Sequence, residues 1–195
     1  MVRRNDERRA ALLDAAIEVL AREGVRGLTY RAVDVEAAVP AGTASNYFPN
    51  RDDLLYQTAQ RVYERLQPDA ATIERQRTAP RDRATYTELM RELVGRISAF
   101  RSGYLALLEL RLEATRRPRL RELLTERVRA DVEANVTYHE QSGLPGDTTA
   151  VRLLILALNW LIVEQLTLPD VFGEAERDQL VVAAVERLVA QPSAS

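Results

Sequence analysis

The side chains best suited to chemistry in this sequence lie close together: Thr43, Ser45, Asn46 and Tyr47, with Arg31 and Arg51 on either side. Between Ala37 and Asn50 there is no charged residue. A short helix that offers hydroxyl and amide groups but no carboxylate suits the major groove of DNA, because an acid near a phosphate costs Coulomb energy at short range. Asn46 could bond bidentately to adenine, and Thr43 and Ser45 to bases or phosphates. Arg51, beside the first turn of a following helix, could clamp a phosphate together with backbone amides. Arg3 and Arg4 are expected in a flexible arm able to reach the backbone or the minor groove. Taken singly, each residue reads more readily as a solvated polar side chain on a small helical domain. The spacing of the set favours DNA.

Such side chains need a frame. Leu12, Ala15, Ala16, Val19 and Leu20 make one apolar face, which predicts a first helix over about 6–22, with Gly24 as its stop. Thr29 can cap a second helix that ends near Ala38. Pro40 and Gly42 bound a third, which ends before Pro49. Asn50 with Asp53 three residues on has the form of a capping box and opens a fourth helix, to about Leu66. Two very short helices broken by a tight turn cannot bury a core of their own. Their ordinary use is to present the second helix to a DNA groove.

Residues 67–83 hold Pro68, Pro80 and alternating charges with few large apolar groups, and read as a linker between a domain over 1–66 and another over 84–195. Leu89, Leu93, Ile97 and Phe100 then recur at helical spacing, and Gly103 punctuates. Residues 104–117 are apolar nearly all round, which predicts a central helix. Pro118 opens an Arg/Glu-rich helix reaching Tyr138 or His139. Residues 142–146 read as a loop, 148–167 and 174–190 as two further helices, and 191–195 as a frayed tail. Period-two alternation is absent. The expected fold is all-α, with about nine helices: an N-terminal three-helix helix-turn-helix domain and a C-terminal helical domain.

Composition narrows the function. The net charge is −2, and residues 1–65 carry as many acids as arginines, so attraction to DNA must come from local charge placement. All 27 basic residues are arginine, which reads as codon bias. The chain has no cysteine and one histidine, which excludes disulfides, thiol sensing and a multi-histidine metal site. No signal peptide is visible. The apolar run 151–168 is interrupted by Arg152, Asn159, Glu164 and Gln165, so a buried helix is expected rather than a membrane span. A cytoplasmic protein is the default. No Ser/His/Asp set, metal cluster or phosphate loop suggests an enzyme, and no cofactor is expected.

Residues 6–66 resemble the N-terminal domain of the TetR/AcrR family of bacterial transcriptional regulators. The resemblance is carried by Leu12 to Leu20 followed by Glu23 and Gly24, by Gly27, Leu28 and Thr29, and by Val39 to Thr43. It continues through Asn46, Tyr47 and Phe48 and the run from Asn50 to Leu55. It implies that Thr29, Thr43, Tyr47 and Arg51 contact phosphates, that Arg31, Ala41, Gly42, Ser45 and Asn46 face bases, and that Phe48 and Leu55 belong to the core. Four positions depart from the family pattern. Ser45 stands where Tyr is usual, Ala38 where a turn glycine is usual, Asp34 in place of a common Ala, and Pro40 in place of a helix-capping Ser. If the turn needs positive φ at Ala38, the cost is roughly 1 kcal/mol.

The resemblance further implies that the remainder is a ligand-binding and dimerisation domain whose last two helices form a four-helix bundle with a partner's. The residues support this separately. Leu153, Leu154, Leu156, Leu158, Leu161 and Ile162 surround their helix, and Leu180, Val181, Ala184, Val185 and Leu188 form a stripe on the last. Polar groups inside apolar helices hint at a pocket, the candidates being Tyr104, Arg111, Tyr138, His139, Asn159, Trp160 and Glu164. For Arg111 an ion pair with Glu109 or Glu113, or plain solvent exposure, is the competing account; for Trp160 and Asn159 it is a core or dimer role. Arg116, Arg117, Arg119 and Arg121 are interleaved with Glu113, Glu122 and Glu126 and read as a solvated face. The combined expectation is a homodimeric repressor that binds a palindromic double-stranded operator and is released by a small-molecule effector. The rival is an all-α small-molecule-binding or scaffolding protein that no longer engages DNA.

Overall fold

A computed structural model describes residues 2–143 and 146–188, with side chains from Asn5 onward. The expected tail 191–195 and the middle of the expected loop, Leu144 and Pro145, lie outside the described residues, as do the side chains of Arg3 and Arg4. The described residues form ten helices and no strand: α1 (Val2–Gly27), α2 (Tyr30–Glu36), α3 (Thr43–Tyr47), α4 (Arg51–Leu66), α5 (Ala70–Thr78), α6 (Arg83–Ala99), α7 (Arg101–Ala114), α8 (Pro118–Ser142), α9 (Thr148–Thr167) and α10 (Glu174–Leu188). The helix α1 begins at Val2, so the backbone of Arg3 and Arg4 is helical and not an extended arm. Gly24 interrupts it as its position suggested, at φ 67° and ψ −176°.

The chain divides into two compact units. The first is Met1–Gln67 with Phe100–Arg127, and the second is Pro68–Ala99 with Val128–Ser195. Helix α7, whose sequence is apolar on most sides, thus packs with the N-terminal helices. Leu107 and Leu110 of α7 and Leu120 and Leu124 of α8 share a core with Leu12, Ala16 and Leu20 of α1 and with Leu55 and Val62 of α4. The contact with α1 is held at its end by Glu109, whose carboxylate accepts the Val25 amide hydrogen at 3.3 Å just past the Gly24 break. Salt links then tie α4 to the α7–α8 corner. Arg117 bridges Glu113, at 2.6 Å, and Asp52, while Arg119 reaches Asp53 at 2.7 Å and lies 4.3 Å from the Tyr56 ring centre. Of the clustered arginines read as a solvated face, Arg116 and Arg117 pair with the neighbouring Glu113, while Arg117 and Arg119 also reach Asp52 and Asp53 of α4, acids distant in sequence.

In the second unit α6, α9 and α10 pack on one another. Tyr86 and Leu89 of α6, Leu154, Leu158 and Ile162 of α9, and Val181 and Val185 of α10 are buried. Arg91 of α6 grips both carboxylate oxygens of Asp178 on α10, at 2.6 and 2.8 Å. That exposed pair holds the Asp178 carboxyl below the usual range. The segment read as a linker contains α5. Asp69 caps it by accepting the Thr72 amide at 2.7 Å, and the Arg77–Glu74 pair supports its surface. No residue of α5 is buried, so its sequence shows no apolar period. Helix α9 is long and apolar enough to cross a membrane, yet a third of its apolar window is buried in the protein.

Candidate nucleic-acid interface

Helix α3 has five residues, far too few to be stable alone, so everything about its placement comes from its surroundings. Two fully buried residues seat it: Ala44, from within the helix, and Phe48, at its C-cap. The Tyr30 hydroxyl donates to the Phe48 carbonyl at 3.0 Å and pins that end. On the other side Ser45 and Asn46 are exposed, as are Ala41, Gly42 and Arg31, while Thr43 and Tyr47 are half-buried. Each residue of the expected base-facing set is thus solvent-exposed, and α3 itself carries no acid. Val35 stands one helical turn beyond Arg31 and is 73% exposed, an apolar group which sequence reading passed over.

The caps form as their residue types dictate. Thr29 accepts the Ala32 amide at 3.1 Å and starts α2, and Asn50 accepts the Asp53 amide at 2.8 Å and starts α4. Both caps flank the exposed surface. Arg51 is exposed and donates one N–H to the Val25 carbonyl. A guanidinium has five donors, so four remain for a phosphate. The Thr43 hydroxyl donates to the Pro40 carbonyl at 2.6 Å and the Ser45 hydroxyl to the Gly42 carbonyl at 2.9 Å. To bond a phosphate either hydroxyl must turn its proton away from that carbonyl, while its oxygen can already accept from a base amino group. The turn does take positive φ at Ala38, 51°, where an L side chain is strained.

Three further residues were missed as contributors to this site. Arg9 of α1 lies 5.6 Å from the ring centres of both Tyr47 and Phe48 and donates to Gln57 at 2.8 Å, fixing the Tyr47 ring from behind. Nothing in the spacing of Arg9 and Tyr47 signals that contact. Tyr30 is the second. Asp34 is the third: it is buried and its carboxylate accepts the amides of Gly42 and Ala44, both at 2.7 Å. In sequence it stood out only as a departure from a pattern.

The proposed pocket residues fall in two groups. Tyr104 and Arg111 belong to the first unit; Tyr138, His139, Asn159, Trp160 and Glu164 belong to the second. Tyr104 is buried, and burial pushes its phenol up from the ordinary range. Arg111 is exposed, and so are Asn159 and Trp160, so for these three the reasoning from buried polar groups does not apply. Glu164 is half-buried. His139 is 2% exposed and meets the edge of the Tyr86 ring, with centroids 5.9 Å apart. Its Nε2 faces the Gly146 carbonyl at 3.2 Å, which puts the proton there. Nδ1 is then a buried acceptor without a hydrogen-bond partner among the described residues. Tyr138 lies next to it in sequence, with the Arg81 guanidinium 5.2 Å from its ring centre. Burial drives the Tyr86 phenol up to about 12.

Residues 12–58 match the family model for bacterial regulatory proteins of the tetR family, and residues 81–191 that for the tetracyclin repressor-like C-terminal domain. A 78-residue stretch is 31% identical to the HTH-type transcriptional regulator BetI of Rhizobium meliloti, covering 40% of this chain and 38% of that protein. Over 66 residues the chain is 38% identical to the HTH-type transcriptional repressor KstR of Mycolicibacterium smegmatis, covering 34% of this chain and 31% of the relative. Both matches therefore span well under two thirds of the relatives' length. The whole fold is similar to that of the multidrug binding protein EbrR complexed with ethidium, at a TM-score of 0.68 and 28% identity over 94% of this chain and 98% of the other. With its helix-turn-helix, its helical second unit and models covering both, the chain belongs to the TetR family of bacterial regulatory proteins.

Proposed function

We propose that the chain is a ligand-responsive transcriptional regulator that binds a palindromic operator as a homodimer, represses from it, and is released by a small-molecule effector. The observation that carries the reading is the exposed, acid-free face of α3, seated on buried Ala44 and Phe48. Ser45, Asn46, Ala41, Gly42 and Arg31 would face bases, and Thr29, Thr43, Tyr47 and Arg51 phosphates. Repression is the mode of the KstR relative, and small-molecule release is supported by the ethidium complex of EbrR.

Dimerisation is supported by α9. Its buried residues Val151, Leu154, Leu158, Leu161 and Ile162 occupy one face, and Leu153, Leu156 and Trp160 recur at spacings of three and four on another. Leu156 is 67% and Trp160 65% exposed, more apolar area than a lone chain ordinarily leaves to water. A second copy presenting its own α9 and α10 would cover it and give two α3 helices one DNA turn apart. For the effector, the buried Nδ1 of His139 beside Tyr86 and Tyr138 favours a molecule that offers an N–H or O–H donor and an apolar or aromatic body. Release would be a population shift toward a dimer whose α3 helices no longer match successive grooves. A DNA target would have the protein act in the cytoplasm.

The test is a gel shift with duplex DNA from the chain's own promoter region, alongside Asn46→Ala and Tyr47→Ala variants. Both should lose affinity while the dimer mass by light scattering is unchanged. Wild-type binding by both variants would refute α3 as the reading helix, and no shift by the wild-type protein would favour a scaffold that has left DNA.

A further inference from the structure

Asp34 holds a carboxylate in the core of the helix-turn-helix, 2% exposed, and burying a charge there needs compensation. The compensation is specific. Oδ2 accepts the Gly42 amide and Oδ1 the Ala44 amide, each at 2.7 Å. These are the amides at the start of α3, where unpaired donors and the helix dipole favour a negative group. Helix α3 has no local cap: Gly42, in the left-handed region at φ 87°, has no side chain, and Pro40 has no hydroxyl. The Pro40 carbonyl serves Thr43 instead, through its amide at 3.2 Å and its hydroxyl at 2.6 Å. Asp34 also accepts the Val39 amide on its own carbonyl at 3.0 Å, so one residue of α2 ties down both the turn and the helix after it.

We infer that Asp34 is the positioning residue of the recognition helix, capping α3 from the neighbouring helix and so setting how well the protein distinguishes its site from other DNA. The inference rests on the DNA-binding reading of α3. Two amides held by two oxygens of one rigid carboxylate fix both the height of α3 and its roll about its axis, which a single hydrogen bond would leave free. Roll decides whether Ser45 and Asn46 meet base edges. Of the groups suited to phosphates, Thr29 at the cap of α2 and Arg51 at the start of α4 do not depend on that bridge, whereas Thr43 and Tyr47 move with α3. Loss of Asp34 therefore separates specific from non-specific binding. An asparagine keeps the shape and one acceptor, but turns an NH2 group toward the second amide.

The experiment first selects a preferred duplex from a random double-stranded library with the wild-type protein. The affinities of wild type, Asp34→Asn and Asp34→Ala are then measured for that duplex and for a scrambled one of equal length, with circular dichroism and dimer mass as controls. Asp34→Ala should lose roughly ten- to hundredfold on the selected duplex and stay within about threefold on the scrambled one. Asp34→Asn should lie between, with the same split. Equal losses on the two duplexes would show a merely structural residue, and an undiminished preference would overturn the inference outright. If the alanine variant does not fold, the asparagine variant decides the matter by the same comparison. Should the wild type select no sequence at all, the DNA-binding reading itself fails, an outcome distinct from either.

Discussion

Ala38 makes a prediction whose sign runs against intuition: deleting its methyl group should stabilise the protein. The residue sits at φ 51°, the only described non-glycine residue at positive φ, and it is exposed, so the methyl contributes little burial. An L residue in the left-handed region costs about 1–2 kcal/mol. Glycine removes that strain but adds roughly 0.5–1 kcal/mol of backbone entropy to the unfolded chain. The difference leaves Ala38→Gly more stable by about 0.5–1 kcal/mol, or roughly 1–4 °C in Tm for a chain of this size. The control is next door. Ala37 lies at φ −78° and ψ −1°, where alanine is unstrained, and it packs against the core. Ala37→Gly should therefore cost about 1 kcal/mol. Thermal unfolding followed by far-ultraviolet circular dichroism, with both variants beside the wild type, reads the two signs directly. If both variants fall by the same amount, the strain assigned to Ala38 is absent and the turn has relaxed around it.

Other outcomes follow from the packing and the charges. Leu110→Ala empties a fully buried site on α7 and should cost about 2–5 kcal/mol. Because α7 shares the core of the first unit, the stretch of α1 from Ala16 to Leu20 should lose amide protection in hydrogen exchange at the same time, and unchanged protection there would contradict the shared core. If the proposed dimer forms through α9, Trp160→Glu on its exposed face should leave a monomer in light scattering, while a fully dimeric variant would move the interface elsewhere. Arg117, then Arg116, hold the Glu113 carboxyl below the usual range. A depressed carboxylate contributes stability above the unfolded value, about pH 4.3, and loses it as pH falls through the folded one. Glu113→Gln should therefore melt below wild type at pH 7 and match it near pH 3; a gap that persisted in acid would assign the loss to packing.

The helix-turn-helix was legible because its signals are local. Thr29 and Asn50 are short acceptors placed before helices, and both cap as expected. Gly24 and Gly42 take the positive φ that such breaks require. Helix α5 escaped notice because a helix that buries nothing has no apolar period to read, only a cap and ion pairs that resemble a charged loop. The pocket candidates fared unevenly for a related reason. A polar residue in an apolar run can point inward, as His139 does, or outward, as Arg111 and Asn159 do, and composition does not distinguish the two.

An all-α chain, the order of its N-terminal helices, their caps and the acid-free face of α3 all follow from the residue order, because each depends on residues within a few positions of one another. What those pieces lean on emerges only once the chain is packed. Packing brought Asp34 under the start of α3, Arg9 behind Tyr47, and α7 into the core with α1, although 84 residues separate Glu109 from the Val25 amide it accepts. Caps and turns are set by backbone geometry along the chain. Which carboxylate meets which amide across helices is set by how their buried faces fit, and that fit is a property of the packed whole.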